Sequence, residues 1–172
     1  MLPHQGFFKV LLLALFLGLG GCEYVAGRVS AYYLEPGAPD TPEGAVAHRD
    51  IVYATQGERQ LVLDLYVPQV RGDEPAPVVL FLFGGAWKAG NRHQMIHFGL
   101  PDYPAQGIAV VAAEYRYSSE AVFPAQIEDV EAALLWIHDH ASTYALDSGR
   151  IGVIGPSAGG HLAALAGTTS RA

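Results

Sequence analysis

The sequence predicts an α/β fold built on a mostly parallel sheet with an N-terminal hairpin. Three observations carry that expectation. Apolar runs of strand length stand at 78–83, 108–113 and 150–154, without the polar alternation of a half-exposed strand. An amphipathic helical stretch covers about 124–140, between the second and third of those runs. Glycine- and proline-bearing turns separate the segments, giving strand–connection–strand units with right-handed crossovers. The 172 residues allow one domain, and a hydrophobic share of 51% excludes a disordered chain. A formal net charge of −7 without any basic cluster excludes a nucleic-acid surface. The single cysteine excludes a disulfide framework and a multi-cysteine metal site, and no metal or organic cofactor is expected.

The N-terminus carries Lys9, an apolar run from Val10 to Gly18, and then Leu19-Gly20-Gly21-Cys22. A positive residue, a short apolar run and small residues before a cut read as a secretory signal over 1–21. A spanning helix or a plain secreted protein are the other readings. The run is shorter than the ~20 residues needed to cross a bilayer. Leu-Gly-Gly-Cys resembles the lipobox of bacterial lipoproteins, which implies diacylation of Cys22 and anchoring to a membrane of the bacterial cell envelope. Glu23 is not the aspartate associated with inner-membrane retention, so the outer membrane is favoured. Residues 22–48, rich in Gly, Pro and Ala, read as a tether with one helical turn around 24–33, and the domain proper as 49–172.

Asp50-Ile51-Val52-Tyr53-Ala54 and Leu61-Val62-Leu63-Asp64-Leu65-Tyr66-Val67 are strand candidates joined by Gln56-Gly57-Glu58-Arg59, which predicts a hairpin. Alternation sets Leu61, Leu63, Leu65 and Val67 on one face, and Pro68 ends the strand. After the polar loop Arg71-Gly72-Asp73-Glu74-Pro75, the buried strand 78–83 ends in Gly84-Gly85-Ala86-Trp87. Residues 91–106 make a poor helix, broken by Gly99, Pro101 and Pro104. The strand at 108–113 leads into the turn-prone Tyr115-Arg116-Tyr117-Ser118-Ser119. In the helix, proline stands at the start, where a missing N–H costs nothing, and Ile127, Val130, Leu134 and Ile137 form the buried stripe. Arg150-Ile151-Gly152-Val153-Ile154 reads as a fully buried strand, and Leu162-Ala163-Ala164-Leu165-Ala166 as the opening of a tightly packed helix.

Between these last two lies Gly155-Pro156-Ser157-Ala158-Gly159-Gly160-His161. Gly-x-Ser-x-Gly is a weak pattern alone, but between strand and helix it reads as a nucleophile elbow. Gly155 and Gly159 are expected where strand and helix approach too closely for a Cβ. Parallel strands bring their carboxyl ends together, so Gly84-Gly85 and Ser157 emerge on one sheet edge. A serine attacking an acyl carbon creates an oxyanion, and backbone N–H groups about 3 Å from it are worth roughly 3–4 kcal/mol each. Gly84, Gly85 and Ala158 are the expected donors.

With the Asp64, Gly84-Gly85-Ala86-Trp87, Glu114-Tyr115-Arg116-Tyr117-Ser118, Phe123-Pro124-Ala125-Gln126-Ile127-Glu128-Asp129 and Ser157 stretches in view, the chain resembles the α/β-hydrolase superfamily. The resemblance is to bacterial carboxylesterases with a His-Gly-Gly-x-Trp motif, similar to feruloyl and acetylxylan esterases and to hormone-sensitive lipase. It covers about residue 49 to the end. It implies an ester-hydrolysing fold, a small-molecule ester substrate, Ser157 as nucleophile, and Gly84, Gly85 and Ala158 as the oxyanion hole. Trp87 lines the substrate pocket or anchors the loop by packing. Two departures stand out. Phe83 replaces the family's histidine, which supports the oxyanion loop through hydrogen bonds. The family order is Ser, then Asp or Glu, then His, and the sequence stops at Ala172, after the nucleophile helix. His161 is a packing position, His93 and His97 come after the oxyanion loop and could reach the site, and His48, His138 and His140 read as exposed loop or helix-end residues. A serine without a base is a weak nucleophile. The sequence thus reads as the N-terminal part of a truncated α/β-hydrolase fold, inactive alone, with a continuation of the gene to supply the missing half. The alternative is a non-catalytic envelope lipoprotein using the half-fold as a binding or scaffold module.

Overall fold

The computed structural model describes residues 34–70 and 74–169. The expected signal at 1–21, Cys22 with its lipid, the helical turn at 24–33 and the loop residues at 71–73 lie outside the described residues.

Five strands form one sheet: β1 (Ala45–Gln56), β2 (Arg59–Pro68), β3 (Ala76–Leu82), β4 (Ala109–Ala113) and β5 (Leu146–Ile154). Their spatial order is β1-β2-β4-β3-β5. The expected hairpin is β1–β2, antiparallel and closed at Gln56↔Arg59, with Gly57 at φ +63° taking the left-handed turn position. β2 meets β4 antiparallel, while β3 runs parallel to both β4 and β5. The parallel half arises from the apolar runs. Val78, Leu80, Phe81 and Leu82 of β3 and all five residues of β4 are buried, as covered strands must be.

Strand pairing begins at Ala45, four residues before the expected start of the domain at 49. β1 carries two register irregularities, and Asp50 lies between the pairs flanking the first, at φ 53°. In β2 the alternation holds for Leu61, Leu63, Leu65 and Val67, but Asp64 and Tyr66 on the opposite face are buried as well. That second buried face is polar, and a buried carboxylate there needs charged partners. β5 differs from the fully buried strand the sequence predicts. Among the described strands it pairs only with β3, and Ile154 at its end is 37% exposed.

Helix α1 (Ala125–Asp139) matches the predicted span closely. Ile127, Val130 and Ile137 are buried and Leu134 partly so, while Ala133 and Trp136 widen the stripe. A one-turn helix α2 (Ala141–Tyr144) leads into β5, and α3 (Ala158–Thr169) comes after it. Between β3 and β4 the broken helix pattern becomes three 3-10 turns, Arg92–Phe98, Leu100–Asp102 and Pro104–Gln106. Gly99 and Gly107, both left-handed, end the first and the last. Phe98 of the first turn rests against Phe81 of β3, with ring centroids 5.7 Å apart.

Candidate active site

Two turns meet at the carboxyl ends of β3 and β5. The first is the elbow. β5 ends at Ile154, and α3 starts at Ala158, so the reversal occupies three residues. Ser157 takes φ 49°, left-handed and costly for a residue with a Cβ, by about 1–3 kcal/mol. The geometry around it leaves no alternative. A Cβ on Gly159 would stand 2.0 Å from the Leu82 carbonyl oxygen and 2.6 Å from that of Phe83. One on Gly155 would stand 2.2 Å from Leu82 O. The expected close approach at these two glycines is therefore present, with β3 as the third wall. Gly160 shares it, since its Cβ would meet Gly155 O at 2.7 Å. The helix then closes, with the Gly159 N–H donating to Pro156 O (2.9 Å) and the His161 N–H to Ser157 O (2.9 Å). The Ala158 N–H, at the positive end of the helix dipole, has no partner among the described residues.

The second turn is the loop from Phe83 to Gly90, and its backbone is strained along its length. Gly85 lies at φ 135°, Ala86 at 54°, Trp87 at 58° and Gly90 at 101°. Lys88 and Ala89 donate their N–H groups to Gly85 O at 3.0 and 3.1 Å, closing it on itself. Gly84 is one of the expected oxyanion donors. Its N–H is already donated to Gln94 Oε1 at 3.0 Å. The amides of Gly85 and Ala86 have no partner among the described residues. The available set beside the serine is thus Gly85, Ala86 and Ala158.

Phe83 stands where the resemblance implies a histidine. Its ring stacks on Tyr115, with centroids 4.2 Å apart and planes 8° from parallel. Tyr115 Oη donates to Phe83 O at 2.7 Å, and burial pushes its phenol well above the ordinary range, keeping it a donor. Tyr117 Oη donates to Gly90 O, and the Ser118 N–H donates to Trp87 O at 2.7 Å. The loop is supported by Gln94, Tyr115 and Tyr117.

Behind the loop lies the polar face of β2. Arg92 is buried and faces three carboxylates, with Nε 3.0 Å from Asp64 Oδ1, Nη1 2.5 Å from Glu114 Oε1, and Nη2 against Asp50. The bulge that turns Asp50 left-handed also lets its N–H donate to Asp64 Oδ1 at 2.9 Å. His93 Nε2 stands 3.3 Å from Asp64 Oδ2. Burial by itself would raise the Asp64 carboxyl, but the adjacent His93 ring, the hydrogen bond from the Asp50 N–H and the charge of Arg92 outweigh it, holding it down to about 2. A similar clamp, Arg116 on the fully buried Asp129 at 2.8–3.1 Å, fixes the stretch after β4 to α1.

The cleft at the elbow, about 460 Å³, is lined by Ser157, Pro156, Gly85, Ala86, Leu34, Phe98 and His97 among others. Of the two histidines considered as reaching the serine, His97 borders this cleft, whereas His93 belongs to the charged cluster. Trp87 lines a separate cleft, with Phe123 and Leu162, and its ring packs edge-on against His161 at 5.4 Å. His48 packs against Tyr144, and His140 stacks on Trp136 and bonds its carbonyl. The sequence missed Arg92 and Gln94, because a broken helical pattern gives no reason to single out either. Tyr115 and Tyr117 fell within a motif stretch but without a role.

The sequence profile of the BD-FAE family matches residues 63–172. Esterase LipC of Mycobacterium tuberculosis is 34% identical over 132 residues, covering 74% of this chain and 33% of LipC. Among solved structures, a truncated form of a carbohydrate esterase from gut microbiota superposes with a TM-score of 0.66 at 31% identity, covering 77% of this chain and 47% of the other. Esterase B from Lactobacillus rhamnosis, inhibited by a tributyrin phosphonate, gives a TM-score of 0.67 at 27% identity, covering 92% and 49%. The chain thus spans 33% of that curated relative and 47–49% of these two solved structures.

Proposed function

The chain belongs to the BD-FAE family of carboxylesterase-type α/β-hydrolases, and on that premise we propose that it carries the nucleophile and oxyanion hole of a serine esterase acting on small carboxylic esters. Ser157 Oγ attacks the acyl carbon, the alcohol leaves, and water then hydrolyses the acyl-enzyme. The observation that carries the reading is the left-handed Ser157 at the start of α3, in a cleft with Gly85 and Ala86, whose amides, like that of Ala158, have no partner among the described residues. Those three groups are the proposed donors to the oxyanion, with Gly84 withdrawn from the set. No described residue is assigned as the base. The family order sets the acid and the histidine after the nucleophile. We further propose that the protein works in the bacterial envelope, tethered through a lipid on Cys22. That rests on the residues around Cys22 alone.

The scaffold alternative has Phe83 as one of its grounds, and against that ground the loop is held by Gln94 and Tyr115. The test uses p-nitrophenyl acetate with the 172-residue chain and its Ser157→Ala variant. Expected is slow, Ser157-dependent release of p-nitrophenolate, with the acetyl group found on Ser157 by mass spectrometry and little turnover. Equal release from both proteins would overturn the nucleophile assignment. A full burst and then steady turnover would show that a base lies within these residues.

A further inference from the structure

We propose that Gln94 is the positioning residue of the oxyanion loop, occupying by hydrogen bonding the role that Phe83 cannot fill. The inference rests on the reading of Ser157 as a nucleophile and deepens it. Gln94 is 3% exposed and lies in the first 3-10 turn, ten positions after Gly84. Its carboxamide holds that glycine by both backbone groups. Oε1 accepts the Gly84 N–H at 3.0 Å, and Nε2 donates to Gly84 O at 3.1 Å. The second Nε2 hydrogen goes to Leu34 O at 2.9 Å. Both donors are spent and the acceptor is engaged, so the amide has one orientation. Flipping it would set Oε1 against two carbonyl oxygens.

A grip on Gly84 controls the three residues after it. Gly85, Ala86 and Trp87 all have positive φ, and two of them carry a Cβ. Such a run persists only where its surroundings over-determine it. Gln94 fixes the peptide that enters the run, and the Tyr117 and Ser118 bonds fix its exit. Glycine at 90 makes room for the contact, since a Cβ there would lie 2.8 Å from Gln94 Nε2. The turn bearing Gln94 is itself anchored. Asn91 Oδ1 caps it by accepting the His93 N–H at 3.0 Å, Asn91 Nδ2 donates to Pro36 O at 3.1 Å, and Arg92 is locked by Asp64, Glu114 and Asp50. A rigid path therefore runs from the polar face of β2 through Arg92 and Gln94 to the amides of Gly85 and Ala86. Gln94 does not touch the reacting atoms; it aims the groups that do.

The test compares the full chain with Gln94→Met, which keeps the length and packing without hydrogen bonds, and Gln94→Glu, which keeps the acceptor but has no N–H to give. The first readout is amide hydrogen exchange by NMR. Gln94→Met is expected to speed exchange at Gly84 by about 10-fold or more, the loss of one buried hydrogen bond, while Val111 in β4 stays protected as the fold control. The second is the acylation of Ser157 by p-nitrophenyl acetate. Both variants are expected to lower its maximal rate by about 10-fold, as a misplaced oxyanion donor does, with apparent KM within about 2-fold. Unchanged Gly84 exchange in Gln94→Met with Val111 protected would overturn the clamp. A rise in KM with an unchanged maximal rate would overturn the positioning role. Failure of the wild-type chain to acylate at Ser157 refutes the nucleophile reading instead, and the positioning role with it, while the exchange readout still decides the clamp. If Gln94→Met loses protection at Val111, Gln94→Glu decides the clamp. It should keep Gly84 protected through its remaining acceptor.

Discussion

The elbow at Gly155–Gly160 and the loop at Phe83–Gly90 lie side by side and are tied to the fold by different means. Both are strained turns at the carboxyl ends of neighbouring parallel strands. The elbow is held by backbone against backbone, with carbonyls of Leu82 and Phe83 where a Cβ on Gly159 would go, and by its own helical bonds. The loop also closes on its own backbone, through the Lys88 and Ala89 N–H groups on Gly85 O, but it is tied to the rest of the fold by side chains, Gln94 from a 3-10 turn and Tyr115 and Tyr117 from the segment after β4. A turn held by close packing tolerates no added atom. A turn held by hydrogen bonds tolerates small losses one at a time, each worth about 1 kcal/mol.

The sharpest break between the two comes from Gly159→Ala. Its Cβ meets backbone oxygen at 2.0 Å, which neither strand nor helix can yield without separating. The expected cost is about 4 kcal/mol, the upper end for one substitution, read as a lower urea midpoint or loss of soluble protein. Wild-type stability in Gly159→Ala would mean the elbow is not closed by packing.

Next is the anchor of the loop. Asp64→Asn removes the charge facing Arg92 and is expected to cost about 3 kcal/mol, since it strips a buried cation of one partner. Acid should do the same reversibly. The folded carboxyl sits at about 2 against an ordinary value of 3.8. A lowered pKa stabilises the fold above the unfolded value, so the contribution is intact above about pH 5. It is lost as pH falls through 4 toward 2, about 2 kcal/mol in all. In both cases the comparison predicts an order of events, with Gly84 amide protection falling before that of His161 in α3. Simultaneous loss would merge the two turns into one unit. Stability of Asp64→Asn that still fell over pH 4 to 2 as in the wild type would assign that acid sensitivity to another carboxylate.

The smallest effect is expected from Tyr115→Phe. The stack on Phe83 remains and only the bond to its carbonyl is lost, for about 1 kcal/mol. Urea unfolding reads this cost. A loss above about 3 kcal/mol would show that the loop is as intolerant as the elbow.

What the residues alone determined was whatever depends on neighbours in sequence. The elbow is legible in seven consecutive residues, because its closure requires small residues at fixed offsets and a strand and helix on either side. The covered strands and the α1 stripe are legible for a related reason, since burial imposes a period of two or 3.6 on a continuous segment. The reach of β5 and the start of β1 at Ala45 were not, because pairing partners rather than propensity set where a strand ends. Nor was the bonding of the loop after β3. Gly84 and Gly85 look alike when read along the chain, and only the folded arrangement brings Gln94 onto Gly84. Side-chain hydrogen bonds between segments leave no period in sequence. The residues thus specified which turn presents a serine, and the tertiary structure decided that the Gly84 amide goes to Gln94.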